Sequence, residues 1–339
     1  MNIDAPHPLT GTHCYTAAMQ SFLPLKAALL PICFDPSLDN EPAGFAAYRS
    51  FYQLDTVAGS EVSHRVGTLN SGTINSREYR LAVQYWLPPK AQATVLIVHG
   101  YYDHLGLYRH AIRFFLEHGY AVLGFDLPGH GLSSGPRAVI NNFDEYGQAI
   151  HDVIHVARQH LPPITVGFGQ STGCTALMNY LMAGFSSPLE QLVLFSPLLR
   201  PHRWQQQGRW TYEVLHRWIR SLPRTFQANS ADREFLHFCR KLDPLQPRLL
   251  TVAWVGAMKN WLERFAAQPA IELPALIVQG QQDSTVDWRY NIPQILRKMP
   301  EAQLHYIGEA RHHLVNESPS IRAHCWQIVD EFLNDKAEF

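Results

Sequence analysis

The sequence predicts an α/β protein: a doubly wound, mostly parallel sheet with an inserted helical cap. Three observations point there. Short apolar runs bounded by turn residues alternate with longer segments of helical period. The runs are continuously apolar, as expected of strands buried on both faces of a parallel sheet. One stretch, 198–270, carries helical patterns without a convincing strand and interrupts that alternation. Strand–helix alternation of this kind implies right-handed crossovers between neighbouring parallel strands.

In chain order, residues 1–60 show no clear strand–helix rhythm and read as an N-terminal extension. Its most apolar part, Phe22–Phe34, holds Lys26 and two prolines and is too short to span a bilayer, so it is expected as a helix packed on the body. Glu61–Leu87, with alternation over Tyr79–Trp86, predicts antiparallel strands leading into the sheet. Buried strands follow at Val95–Val98 and Ala121–Phe125. Next, Phe143, Tyr146, Ile150, Val153 and Ala157 recur at steps of three and four, the period of an amphipathic helix. Ile164–Phe168 and Leu192–Phe195 are the next strands, and 198–270 is the expected cap. Strands return at Ala275–Val278 and Gln303–Ile307, and a helix closes the chain over Ile321, Cys325, Ile328, Val329 and Phe332. The sheet domain is thus expected from 61–197 and 271–339.

The chain has 339 residues, 46% apolar and 17% charged, the latter below the typical ~25%, which suits a globular protein with a large core. A formal net charge of −1 removes any global electrostatic case for binding nucleic acid. Cys14, Cys33, Cys174, Cys239 and Cys325 are scattered without CxxC spacing, the pattern of reduced thiols. The first residues lack the basic stretch of a secretory signal, and a cytoplasmic location is expected.

Gly169-Gln170-Ser171-Thr172-Gly173 is a G-x-S-x-G pentapeptide. Alone it is weak, since about one chain in ten of this length holds one by chance at ordinary glycine and serine usage. Its setting is specific, because a strand precedes it and Cys174–Met182 reads as a helix. A strand that turns sharply into a helix lifts the serine oxygen above the sheet, where it can act as a nucleophile. The acid and base should follow in the chain. Asp283 stands just past the strand Ala275–Val278, with Asp287 as fallback acid or as a cap for the next helix. Past Gln303–Ile307, the loop holds His312 and His313, either of which suits a base. Two backbone N–H groups are needed for the oxyanion; Thr172, after the serine, and Tyr101, after His99-Gly100, are the candidates. His99, Asp103, His104, Asp126 and His130 match no metal-ligand spacing, and no metal or cofactor is expected.

Together these pieces resemble the monoacylglycerol lipase and lysophospholipase group of the α/β-hydrolases, also described as serine aminopeptidase-like. The resemblance runs from about Val95 to Leu333 through VHGYYDHLGLY (98–108), FDLPGHGLSSG (125–135), GQSTG (169–173), Asp243-Pro244-Leu245, IVQGQQD (277–283) and GEARHHLVNE (308–317). It implies the α/β-hydrolase fold and a Ser171–His312–Asp283 triad, with His312 rather than His313 as base. It also implies a serine esterase acting through an acyl-enzyme on lysophospholipid or monoacylglycerol-type esters. The chain departs from the group in three ways. Tyr101 is bulky where a small residue is usual, Asp126-Leu127-Pro128-Gly129 replaces an aspartate–arginine–glycine turn, and the N-terminal extension is long.

The cap holds five of the eight tryptophans (Trp204, Trp210, Trp218, Trp254 and Trp261), divided between a helical core and a surface for an acyl chain. It also carries 12 Lys and Arg against 5 Asp and Glu. Such a surplus suits a solvated face, a lysophospholipid head group, or peripheral contact with an anionic membrane surface. An amide-cleaving aminopeptidase, which would need an acidic site for a free amine, and a non-catalytic receptor on the same scaffold are the competing readings.

Overall fold

Eight strands form one sheet in the order β1-β2-β4-β3-β5-β6-β9-β10 in the computed structural model, which describes residues 22–35, 37–38, 41–74 and 77–335. Its strands are β1 (Ser63–Ile74), β2 (Arg77–Leu87), β3 (Thr94–Val98), β4 (Ala121–Phe125), β5 (Ile164–Gln170), β6 (Gln191–Phe195), β9 (Ala275–Gly280) and β10 (Ala302–Ile307). β1 and β2 pair antiparallel, β2 joins β4 antiparallel, and every pairing from β4 to β10 is parallel. Every residue of β3, β4 and β9 is buried. That explains why these strands read as unbroken apolar runs.

Alternate residues of one strand feed two separate cores. Leu96 and Val98 of β3 join the core beneath α4 (Asp144–Ala157), α5 (Thr172–Met182) and α9 (Trp288–Leu296). Val95 and Ile97 join the opposite core beneath α3 (Arg109–Glu117) and α10 (Pro319–Asn334). The second core also takes in the chain ahead of the sheet. A helix α1 over residues 22–28 and helix α2 (Phe45–Phe51) bring Phe22, Leu25 and Tyr48 into it, with the Phe22 and Tyr48 rings 5.5 Å apart. Between them, Pro31 bridges Thr68 of β1. A Cβ on Gly67 would stand 2.4 Å from Ile32 Cα, so only glycine admits this crossing. The described part of the expected extension is therefore built into the body. Residues 1–21, Cys14 among them, lie outside the described residues.

Residues 198–270 leave the sheet between β6 and β9. They hold a π-helical turn (Trp204–Gly208), α6 (Arg209–Leu215), α7 (Arg233–His237), a second π turn (Phe238–Leu242) and α8 (Val252–Phe265). Two three-residue strands, β7 (Ser221–Pro223) and β8 (Leu249–Thr251), pair antiparallel there, where the sequence suggested none. A strand of three residues is too short to show a period.

Among the contacts that tie this segment to the body, those of Asp243, Thr251 and Arg264 fasten its later part. Asp243 accepts from Tyr52 Oη at 2.8 Å and meets His104 Nε2 at 3.0 Å, with the His104 and Asp243 side chains fully buried. Burial alone would lower the His104 pKa, but Asp243 raises it above the ordinary histidine value. Thr251 Oγ1 donates to Ala138 O at 2.5 Å. Arg264 at the end of α8 pairs with Asp144 at 3.1 Å. Trp204, Trp254 and Trp261 are buried, whereas Trp210 and Trp218 are exposed.

Candidate active site

Ser171 occupies the turn between β5 and α5 with φ 56° and ψ −113°, a backbone conformation costly for a residue with a side chain. The surroundings impose it. Ser171 N donates to Phe195 O at 2.9 Å, and a Cβ on Gly173 would lie 2.0 Å from Val98 O. Only glycine lets the new helix start this close to β3.

Asp283 follows β9 and His312 follows β10, so both arrive at the same carboxyl edge of the sheet as Ser171. His312 Nε2 lies 2.9 Å from Ser171 Oγ, and His312 Nδ1 lies 2.7 Å from Asp283 Oδ2. With the proton on Nδ1, the ring donates to the carboxylate and leaves Nε2 to accept from the hydroxyl. Gln170 Nε2 donates to His312 O at 2.9 Å and fixes the loop from behind. Asp283 Oδ1 accepts from the Thr285 and Val286 amides at 2.7 and 3.1 Å. Burial pushes the Asp283 pKa up, but His312 and these amides outweigh it and hold the carboxyl below its ordinary value.

The neighbours that sequence left as alternatives have other partners. His313 Nε2 lies 3.1 Å from Asp103 Oδ2, and Asp103 also accepts from Tyr108 Oη at 3.0 Å. Tyr108 Oη in turn accepts from Gly100 N at 2.9 Å, so this group braces the His99-Gly100 loop. Asp287 begins α9, but its side chain makes no cap; it pairs with Arg200 Nε and Nη2 at 2.9 and 2.6 Å. Burial holds His99 and His130 at pKa values of about 3 and about 4, neutral at pH 7. His99 Nε2 accepts from Leu127 N at 2.9 Å. Among the described residues no group of three or more His, Cys, Asp or Glu could hold a metal ion.

Tyr101 and Thr172 line the same cavity as Ser171 and His312. Among the described residues neither backbone N–H has an intramolecular partner, and Thr172 opens α5, where the helix dipole is positive. The Tyr101 ring stacks on Trp254 of α8 at 3.9 Å, and its hydroxyl donates to Ala138 O at 2.9 Å. Pairing with the cap thus accounts for the bulk at this position, a contact between residues 153 apart that no local pattern announces. The cavity encloses about 940 Å³. Leu198, Trp204, Tyr212, Trp254, Val255 and Met258 give it an apolar wall, while Arg224, Asn229, Asp103 and His313 give it a polar one.

A mostly parallel eight-stranded sheet with a serine on a strained turn after β5 and an insert after β6 has the α/β-hydrolase fold. The same fold occurs in a soluble variant of monoglyceride lipase from Saccharomyces cerevisiae solved with a substrate analog. That likeness has a TM-score of 0.66 at 15% identity and covers 79% of this chain and 94% of that one. This chain belongs to the serine aminopeptidase (S33) family, whose sequence pattern matches residues 89–319. It is similar to a probable lysophospholipase L2 of Haemophilus influenzae, 24% identical over 285 residues, or 76% of this chain and 90% of that protein. An uncharacterized abhydrolase domain-containing protein of Dictyostelium discoideum is 34% identical over 134 residues, 39% of this chain; the match spans only 14% of that longer protein.

Proposed function

We propose that this chain is a serine hydrolase that cleaves carboxylic esters of single-chain lipids, of the lysophospholipid or monoacylglycerol type. The observation that carries the reading is the continuous relay Ser171–His312–Asp283, at 2.9 and 2.7 Å, beside an apolar cavity wall. His312 Nε2 takes the hydroxyl proton as Ser171 Oγ attacks the ester carbonyl, and Asp283 stabilises the imidazolium. The amides of Tyr101 and Thr172 hold the oxyanion. Collapse expels the alcohol, which takes the proton back from His312. Water, deprotonated by His312, then attacks the acyl-enzyme and releases the acid and free Ser171. The reaction needs no cofactor.

An aminopeptidase would need a carboxylate free to bind the substrate amine. Asp103, the one acidic residue lining the cavity among the described residues, is already committed to His313 and Tyr108. A binding protein without catalysis would leave Ser171 unreactive. We expect a fluorophosphonate probe to label Ser171. We also expect kcat/KM for p-nitrophenyl esters to rise by about two- to fourfold per acyl methylene until the apolar wall is covered. A well-folded protein that neither labels nor turns over any ester would end this reading.

Peripheral contact with an anionic membrane surface belongs to the same proposal. Trp210, Val214 and Trp218 recur at steps of four and are 70%, 46% and 85% exposed, with the exposed Arg209, Arg217 and Arg220 beside them. No helix of the described residues is long and apolar enough to cross a membrane. The protein should sediment with phosphatidylglycerol vesicles at low salt, and the double variant Trp210→Ser, Trp218→Ser should bind about tenfold more weakly. Equal binding by that variant would remove these tryptophans from the contact. A cytoplasmic location completes the proposal, consistent with Cys33, Cys174, Cys239 and Cys325 being free thiols.

A further inference from the structure

Two arginines line the cavity; Arg203 is exposed, and the less exposed of the two, which the hydrolytic reaction does not use, is Arg224. It follows β7 directly and lines the same space as Ser171. Its guanidinium lies over the Tyr102 ring at 4.0 Å and beside the Phe226 ring at 4.3 Å. Nη1 donates to Gln246 Oε1 and to Pro247 O at 3.3 Å. These contacts fix the plane of the group and use one of its edges.

The opposite edge, Nε and Nη2, has no hydrogen-bond partner among the described residues, and neither atom is sealed from the cavity. No carboxylate lies within ion-pair distance of Arg224 among the described residues. The two acids whose charge it feels, Asp103 and Asp243, are each held by a histidine. Desolvation depresses its pKa, which shows that the charge is carried at a cost. Aromatic faces offset part of that cost but present no oxygen. An arginine held flat with one free edge is a ready fork for two oxygens of a single anion.

Its placement complements the apolar wall. Tyr101 and Tyr102 are consecutive, and their rings lie 4.2 Å apart. The first stacks on Trp254 of the apolar wall, and the second lies under Arg224. One loop thus carries the acyl-facing surface on one residue and the cation on the next.

We propose that Arg224 binds an anionic oxygen group, phosphate or carboxylate, on the alcohol portion of the ester that Ser171 cleaves. The inference rests on the serine esterase reading and adds a selecting residue to it. The test uses three esters of one short acyl chain, each below its aggregation concentration. They are the neutral glycerol ester, its glycerol phosphate counterpart, and the ester of glyceric acid, which carries a carboxylate. Wild type should favour an anionic ester. In Arg224→Met, which keeps the stem over the two rings, the ratio of anionic to neutral kcat/KM should fall by about ten- to a hundredfold, with Arg224→Lys between. Loss confined to the phosphate ester assigns a phosphate; loss confined to the carboxylate ester assigns a carboxylate. An unchanged ratio, or an equal fall on all three esters, overturns the proposal.

A measurement on wild type alone guards against a misfolded variant. A short alkyl phosphate or alkyl carboxylate should slow fluorophosphonate labelling of Ser171 more than the matched alkanol, and salt should weaken that protection. No difference from the alkanol for either anion also overturns the subsite. Failure of wild type to label at all sinks the serine esterase reading itself, which keeps the two failures distinct.

Discussion

Ser171→Ala should lower kcat for any ester substrate by a factor on the order of 10⁴–10⁶, because every chemical step in the proposed cycle passes through its Oγ. The protein itself should be nearly unaffected. Among the described residues the Ser171 side chain has one hydrogen-bond partner, His312 Nε2, and alanine at φ 56° inherits the same backbone strain without adding to it. Circular dichroism and a thermal melt close to wild type would show that the loss is chemical. A variant that kept more than about a tenth of the wild-type rate would place the nucleophile elsewhere. Substrate binding should survive, since the apolar wall and Arg224 are untouched.

Asp283→Asn should cost about 10⁴ in kcat, for a different reason. An amide directed at Nδ1 presents either an oxygen that cannot stabilise the imidazolium or an NH₂ that forces the proton onto Nε2. In the second case the ring no longer accepts from Ser171. The amide oxygen can still receive the Thr285 and Val286 N–H groups, so the loop should keep its shape. Stability should respond to pH in a defined direction. The folded pKa of Asp283 is depressed, so ionisation of this carboxylate favours the fold above the unfolded value of 3.8. That contribution disappears as pH falls through the folded pKa. Acid unfolding below about pH 4 should therefore be shallower in Asp283→Asn than in wild type, as read by denaturant melts across that range. Identical pH dependence in the two proteins would mean that the carboxylate is not held as its contacts imply.

What could be read from sequence is what short-range chemistry dictates. Gly173 is required because β3 passes within contact of the helix start, and that requirement leaves a visible pentapeptide. The strands from Thr94 to Gly280 are buried on both faces and leave continuous apolar runs. Asp283 stands just past one of these strands, and His312 just past β10, which is only partly buried. Between His312 and His313 the residues' own spacing leaves the choice open, and the resemblance over 308–317 points to His312. What the sequence could not show is the partner of His313, Asp103, which lies 210 residues away in the chain. For the same reason the Tyr101–Trp254 stack and the Asp243–His104 pair were invisible. The described part of residues 1–60 packs through Phe22, Leu25, Tyr48 and Tyr52, a set without a single period because it spans two short helices and the turns between them. The five cap tryptophans looked equivalent in composition, yet three serve the interior and two face outward.

The tethers that join 198–270 to the body are unevenly distributed, and that sets where the entrance can give way. Arg200 and His202 are held at Asn291, Asp287 and Thr285, residues 228–231 at Arg311, His313, Asn316 and Glu317, and Asp243, Thr251 and Arg264 at His104 and Tyr52, at Ala138, and at Asp144. The stretch from Arg203 to Trp218, between the first two of these anchorages, meets α8 through the Lys259–Glu213 pair at 3.5 Å and the wall residue Tyr212. It begins at Arg203 in a left-handed backbone conformation, φ 58°. The anchored parts are a fixed jamb and 203–218 is the leaf of the door. Because the leaf also bears the outward tryptophans, the proposed contact with a lipid surface would pull on the part of the frame that is least costly to move.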